Sequence, residues 1–215
     1  MLAYPFKKQQ NTPLEMNNCV KCKKAAAFHL QEWYCNSCFC QVIERRIKHY
    51  IRNACPIKKN EHLLVLGDLA LFAIKMVIEG LPVKLELIDK IPKSTKCRIV
   101  VPLTMDNECV EFLDNLFQGK LIVKKEVNII PIFRNLTQAE LKKYTELKKL
   151  NCPDFKKDNL LGLLDEMESK YPSTKYSLSK SISELYSELE KAKVKKIVVN
   201  EKSNGSPRKN KRSPK

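Results

Sequence analysis

The chain has 215 residues, enough for one core of ordinary size with a small appendage, so a set of large domains is excluded. Hydrophobic residues make up 43% and charged residues 30%, the balance of a chain that folds. The formal charge is +16, and because the stretch from Lys191 to Lys215 holds ten bases against one acid, +7 remains in everything before it.

A body that stays basic without its tail points to a polyanionic partner, RNA, DNA or an acidic surface, the bland alternative being a solvated lysine coat. No run of about 18 or more apolar residues occurs. The opening MLAYPFKKQQ also lacks the apolar stretch and cleavage site of a secretory signal. A cytoplasmic protein is expected, and its nine cysteines are then thiols or metal ligands, with disulfides disfavoured.

Residues 1–17, with Pro5 and Pro13, read as a flexible leader. The unit at 18–56 opens on the pattern C-x2-C-x12-C-x2-C, formed by Cys19, Cys22, Cys35 and Cys38. Two residues between cysteines let both sulfurs of a turn point one way, and two facing turns make the tetrahedral cage that Zn2+ accepts. Four buried free thiols or an iron–sulfur cluster are the alternatives; the symmetric pairs favour structural zinc. With four thiolates no coordination position is left for an activated water, so hydrolytic metal chemistry is not expected. Cys40 reads as a core residue of the next helix, and Trp33 and Tyr34 as packing for the knuckle or as platforms for stacked bases.

Behind the knuckle, Phe39, Val42, Ile43, Ile47, Tyr50 and Ile51 recur at helical spacing, with Arg45, Arg46, Lys48, His49 and Arg52 mostly on the other side. The pattern predicts an amphipathic helix with a basic face that stops before Pro56.

The body is expected over 57–195. Leu63 to Leu66 reads as a buried strand, Gly67 and Asp68 as a turn, and the following residues as a helix ending near Gly80. Further strands are predicted at Lys84 to Ile88, Arg98 to Val101 and Asn128 to Phe133, with a helix between at about Glu108 to Phe117. The alternation implies an α/β fold with a mostly parallel sheet and helices on its faces. Thr137 and Glu140 form a capping box for a helix reaching about Leu150. Two more helices are predicted, Leu160 to about Lys170 and Ser179 to about Lys193, with Ser181 and Glu184 as a possible second box. Residues 196–215 form a basic tail; from Asn200 onward nothing hydrophobic remains to bury and disorder is expected.

A phosphate-cradling loop needs glycines and hydroxyls. The turn LGDLALF has one glycine, no Ser or Thr, and an acid, so ATP binding by the usual means is not expected there. Among the remaining thiols, Cys97 and Cys109 sit in or beside apolar runs and read as core. Cys55 and Cys152 precede prolines in loops and are the better candidates for a reactive thiol.

The order of knuckle, basic helix and α/β body resembles one family, cytoplasmic tRNA 2-thiolation protein 2. The likeness rests on CVKC at Cys19, CNSCF at Cys35, RIKHYIR from Arg46 to Arg52, LLVLGDLALFAIKM from Leu63, PIFRNLTQAELKKY from Pro131, and YPSTKYSLSKSISEL from Tyr171. The chain departs from that family: Gly67, Asp68 and Leu69 stand where catalytic relatives carry a Ser-Gly-Gly-x-Asp-Ser loop, and LTMDN at Leu103 to Asn107 stands for a later Gly-Asp-Ser motif. The resemblance implies a reduced PP-loop fold of the adenine nucleotide alpha hydrolase type. It also implies a non-catalytic chain, not an enzyme itself, in a heterodimer with a paralogous catalytic thiolase that 2-thiolates wobble uridine U34 in the tRNAs for Lys, Glu and Gln. Sulfur would come from a ubiquitin-like carrier protein, and the cofactor would be structural zinc. Expected phosphate contacts are Arg45, Arg46, Lys48, Arg52, Arg134 and the tail bases. The competing reading is a zinc-ribbon nucleic-acid-binding regulator, for which the SPRKNKRSPK tail would be a nuclear address.

Overall fold

The computed structural model describes residues 18–30, 32–120, 128–153, 155 and 158–203; the leader and the end of the basic tail lie outside them. In chain order the elements are β1 (Phe28–His29), β2 (Trp33–Tyr34), α1 (Asn36–Ala54), β3 (His62–Leu66), α2 (Asp68–Val77), β4 (Lys84–Ile88), β5 (Arg98–Thr104), α3 (Met105–Phe117), β6 (Ile129–Phe133), α4 (Gln138–Lys148), α5 (Asn159–Lys170) and α6 (Thr174–Ser203). The four-stranded sheet has the order β4-β3-β5-β6 and every pairing in it is parallel. The α/β class expected from the alternating pattern is therefore present.

Parallel strands covered on both faces must be apolar on both, and β3 meets this with Leu63, Leu64 and Val65 buried in succession. Leu63, Val65, Val100, Ile130 and Ile132 face a layer formed by α1, α2 and α4, which contribute Ile43, Ile47, Ala73, Ile74, Leu141 and Tyr144. Leu64, Ile99 and Val101 point to the opposite face. In a separate cluster α3 packs with α5 and α6 around Met105, Cys109, Leu164 and Ile182. Burial of about ten aliphatic side chains on the first face, at roughly 1.5 to 3 kcal/mol each, is the main term that fixes α1 to the body.

Two prolines mark the β5–β6 border. Pro131 is level with Val101, and the register slips between Val101 and Thr104, a stretch that contains Pro102. Proline has no N–H to give to a ladder, so it is accepted at an edge strand or an irregularity.

Several boundaries differ from those read in the sequence. β5 continues to Thr104 and α3 begins at Met105, three residues before the expected Glu108, because Thr104 and Asn107 make a reciprocal cap. The Thr137–Glu140 box does open α4, with Glu140 N–H donating to Thr137 Oγ1 at 3.2 Å and Thr137 N–H donating to the Glu140 carboxylate at 2.8 Å. Ser181 and Glu184 cap nothing, since they lie inside α6, which starts at Thr174 and runs to Ser203, past the point at which order was expected to end.

Candidate metal centre and nucleic-acid interface

The first thiol turn is closed by backbone bonds from Cys19 N–H to Lys24 O and from Lys23 N–H to Cys19 O, both 2.8 Å. Lys23 takes the left-handed conformation, φ +62°, that reverses the chain. The second turn is the start of α1: Cys35 is its N-cap and Cys38 lies in its first turn. The β1–β2 ribbon joins the two turns, pairing Phe28 with Tyr34 and His29 with Trp33. Placing two thiols at a helix N-terminus aims unsatisfied N–H groups and the positive end of the dipole at atoms that must become anions.

The four sulfurs of Cys19, Cys22, Cys35 and Cys38 lie within 4.8 Å of one another, and Cys22 Sγ to Cys35 Sγ is 3.5 Å. Sulfurs at the corners of a tetrahedron around an ion bonded at ~2.3 Å are about 3.8 Å apart, so the set fits a single tetrahedral cation. Crowding divides the thiols electrostatically. Burial opposes ionisation of Cys19, but backbone N–H groups of Cys35, Cys22 and Lys21 outweigh it and bring its pKa down to about 6. Burial, reinforced by the other three thiols, pushes Cys38 up to about 12. Four thiols in this space release all their protons only when a cation compensates the charge.

The knuckle is not an independent ribbon. Cys19, Tyr34, Cys38 and Phe39 belong to the same buried cluster as the strands of the sheet. Phe28 packs on Phe39 with ring centroids 4.9 Å apart, and Tyr34 is buried with its hydroxyl donating to Glu32 at 2.8 Å. Trp33 instead remains exposed and stacks beside His29 at 4.8 Å. The two aromatic residues that looked equivalent in sequence thus divide between packing and surface.

The five arginines and lysines expected to contact RNA also divide. Arg45 and Arg52 are exposed on the outer face of α1 and, with Lys48, His49 and Asn53, line a shallow depression of about 380 Å³. Arg46 and Arg134 turn inward. Arg46 bonds Glu140 at 2.6 Å, the carbonyl of Asn135 and the hydroxyl of Tyr176, tying α1 to α4 and α6. Arg134 forks onto Glu108, with Nε to Oε2 at 2.8 Å, and reaches Ser183 at 3.1 Å. A guanidinium held this way has few donors left for phosphate.

In parallel α/β sheets ligands enter at the carboxyl ends of the strands. At the end of β3 lies the turn Gly67-Asp68, whose glycine has φ +79°. Beyond β5 and β6 the space is filled by the chain's own polar contacts, Arg134 with Glu108 and Lys175 with Asp106. Between the knuckle, α1, α4 and the α5–α6 corner remains a cleft of about 630 Å³, lined in part by Arg46, Glu140, Lys143, Lys175 and Tyr176. This corner is not legible in the sequence, whose pattern reads as loop between about Lys170 and Ser179, whereas α6 begins at Thr174.

The remaining thiols are placed differently from their sequence reading in one case. Cys109 is fully buried, and burial pushes its pKa up to about 12, so it is a core residue as expected. Cys97 is only half-buried and touches His62. Cys55 and Cys152 are half-buried as well. Among the described residues no helix is long and apolar enough to cross a membrane.

No family model matches the chain, and no curated relative does. Among solved structures it is similar to the U34-tRNA thiolase NcsA from Methanococcus maripaludis, solved with its [4Fe-4S] cluster. The TM-score is 0.61 at 14% identity, over 81% of this chain and 88% of that one. At that identity the likeness establishes the fold alone, and the α/β architecture expected from the sequence, a parallel sheet flanked by helices, is the one found. It also corrects an expectation: the matching protein is itself a thiolase, so the reading of this chain as not an enzyme, a non-catalytic subunit, is overturned.

Proposed function

We propose that the chain acts in 2-thiolation of the wobble uridine U34 of cytoplasmic tRNAs, those for Lys, Glu and Gln. The observation that carries this reading is the likeness in fold, over 81% of the chain, to a U34-tRNA thiolase. The basic outer face of α1 and the exposed Trp33–His29 pair each supply something an RNA ligand needs: cations for phosphates and an aromatic surface for an unpaired base. In this reading the chain pairs with a paralogous thiolase-fold subunit and draws sulfur from a ubiquitin-like carrier.

The cage holds Zn2+. A single ion suits sulfurs 3.5 to 4.8 Å apart, whereas an iron–sulfur cube would insert several atoms between its ligands and need them wider. All four positions are filled by Cys19, Cys22, Cys35 and Cys38, so the ion organises the knuckle and offers no site for water. Shared packing between knuckle and sheet speaks against a free-standing zinc-ribbon regulator, in which the finger would fold alone.

Two measurements test the reading. Deleting the gene should abolish 2-thiouridine in bulk tRNA, measured by mass spectrometry, while the 5-substituents on U34 persist; unchanged thiolation overturns the proposal. With purified protein, replacing Arg45, Lys48 and Arg52 together by Gln should weaken tRNA binding. It should also make the slope of log affinity against log salt shallower by roughly 2, three fewer phosphates being neutralised. An unchanged slope places the RNA elsewhere.

A further inference from the structure

The amino-terminal edge of the sheet, opposite the end where such folds take their ligands, brings three chemically active side chains into a row. His62 opens β3 and Glu86 is the third residue of β4, level with Leu64. Cys97 directly precedes Arg98, which is level with Leu63, so Cys97 stands beside His62. Alternation puts all three on one face of the sheet. Glu86 Oε2 lies 3.0 Å from His62 Nε2, and Cys97 Sγ lies 3.6 Å from His62 Nδ1, contact distance for sulfur.

The roles follow from which atoms can donate. A carboxylate only accepts, so Nε2 carries the imidazole proton toward Glu86 and Nδ1 presents its lone pair to the thiol. This is the order nucleophile, base, orienting carboxylate. A separate link holds it: Arg98, next to Cys97, donates to Glu61, next to His62, at 3.2 Å and to the carbonyl of Pro56 at 2.9 Å. The site is open, with the side chains of His62 and Glu86 33% and 53% exposed.

Which electrophile it suits can be read from the backbone. Acyl transfer needs N–H groups free to hold an oxyanion, commonly including that of the nucleophile itself. The N–H of Cys97 is already given to Thr95 Oγ1 at 3.0 Å. A sulfur electrophile develops no oxyanion and makes no such demand. The segment leading to Cys97 exposes Lys90, Lys93 and Lys96 against one acid, Asp89, which favours an anionic partner.

We propose that Cys97, His62 and Glu86 form a second, nucleophilic thiol site that exchanges with anionic low-molecular-weight disulfides. Cys97 Sγ attacks one sulfur of R–S–S–R as its proton passes to His62 Nδ1. A Cys97–S–S–R bond forms while the original S–S bond breaks, and the departing thiolate recovers the proton from the imidazolium. One disulfide is consumed and one is made, so no external oxidant is required. The site stands apart from the metal cage and does not depend on the thiolation reading.

The test uses the full, metal-loaded chain, reduced, freed of reductant and mixed with oxidised glutathione at neutral pH. Peptide mapping by mass spectrometry follows the adduct at each thiol. Cys97 should be modified about tenfold faster than Cys55 or Cys152, and His62→Gln should slow it about tenfold, with Glu86→Gln slowing it less. Glu86 is exposed and His62 about one-third exposed, and an unchanged thermal melt confirms that the fold is retained. Modification of Cys97 no faster than that of Cys152, or a rate unaffected by His62→Gln, overturns the proposal.

Discussion

Replacing Cys38 by Ser should remove the bound metal and lower the melting temperature of the whole chain by about 10 °C, and chelating the ion from the unaltered protein should do the same. The size follows from where the cage sits. Cys19 and Cys38 are at most 7% exposed and share one buried cluster with Phe39, Ile43 and the sheet, so the knuckle cannot open without uncovering the front of the core. Structural zinc sites contribute roughly 10 to 16 kcal/mol in isolated fingers. Here the sheet retains its other face, and a loss of about 4 kcal/mol is expected. At roughly 2 to 4 °C per kcal/mol for a chain of this length, that is about 10 °C. The measurements are atomic emission, with one zinc per chain expected before substitution and none after, and a thermal melt by circular dichroism. Cys40→Ser is the control: its thiol is outside the cage, and it should keep the metal. A Cys38→Ser protein that still holds one zinc and melts as before would show that the four thiols are not a metal site.

What could be read beforehand and what could not separate along a physical line. The cage was legible because a metal ion demands fixed spacing within each turn, and that demand is local. The strands of the parallel sheet were legible because burial on both faces produces runs such as Leu63 to Leu66 without interruption. Arg46 and Arg134 have inward partners that are not legible in the sequence, for the opposite reason. Their surroundings are set by Glu140, Tyr176 and Glu108, residues distant in sequence, and helical spacing says only which side of α1 Arg46 leaves from. The row of Cys97, His62 and Glu86 was invisible because it requires the registers of three strands at once, and a slip of one residue would send any of them to the other face. The start of α6 was missed because Pro172 and Ser173, the latter at φ +74°, read as loop, although the helix begins at the very next residue.

Lys175, in the first turn of that helix, should be among the most sensitive positions of the chain, and Lys175→Met is expected to cost about 3 to 5 kcal/mol, again a fall of about 10 °C in melting temperature. Its side chain is 5% exposed and its ammonium group bonds Asp106 and Asp165. Asp106 is fully buried, and apart from Lys175 its carboxylate receives the N–H of Gln138 at 2.6 Å. Methionine fills the volume of the lysine stem, so the loss isolates the charge, and it leaves Asp106 without its cation at the carboxyl end of β5. Asp165 is 61% exposed, water replaces its partner, and Asp165→Asn should cost under about 1 kcal/mol. Asp106→Asn introduced together with Lys175→Met should recover part of the loss, since no unpaired charge then remains. Alkaline pH gives an independent readout. Burial alone would lower the pKa of Lys175, but the bonds to Asp106 and Asp165 outweigh it and raise it above the ordinary 10.5. A group raised in the folded state contributes its full stabilisation below the unfolded value and loses it as pH climbs through the folded one. Unaltered protein should therefore lose stability above pH about 10.5 in a step that Lys175→Met lacks. A Lys175→Met protein that melts within about 2 °C of the unaltered chain, with the alkaline step still present, would mean that this buried pair does not hold the α5–α6 corner across the end of the sheet.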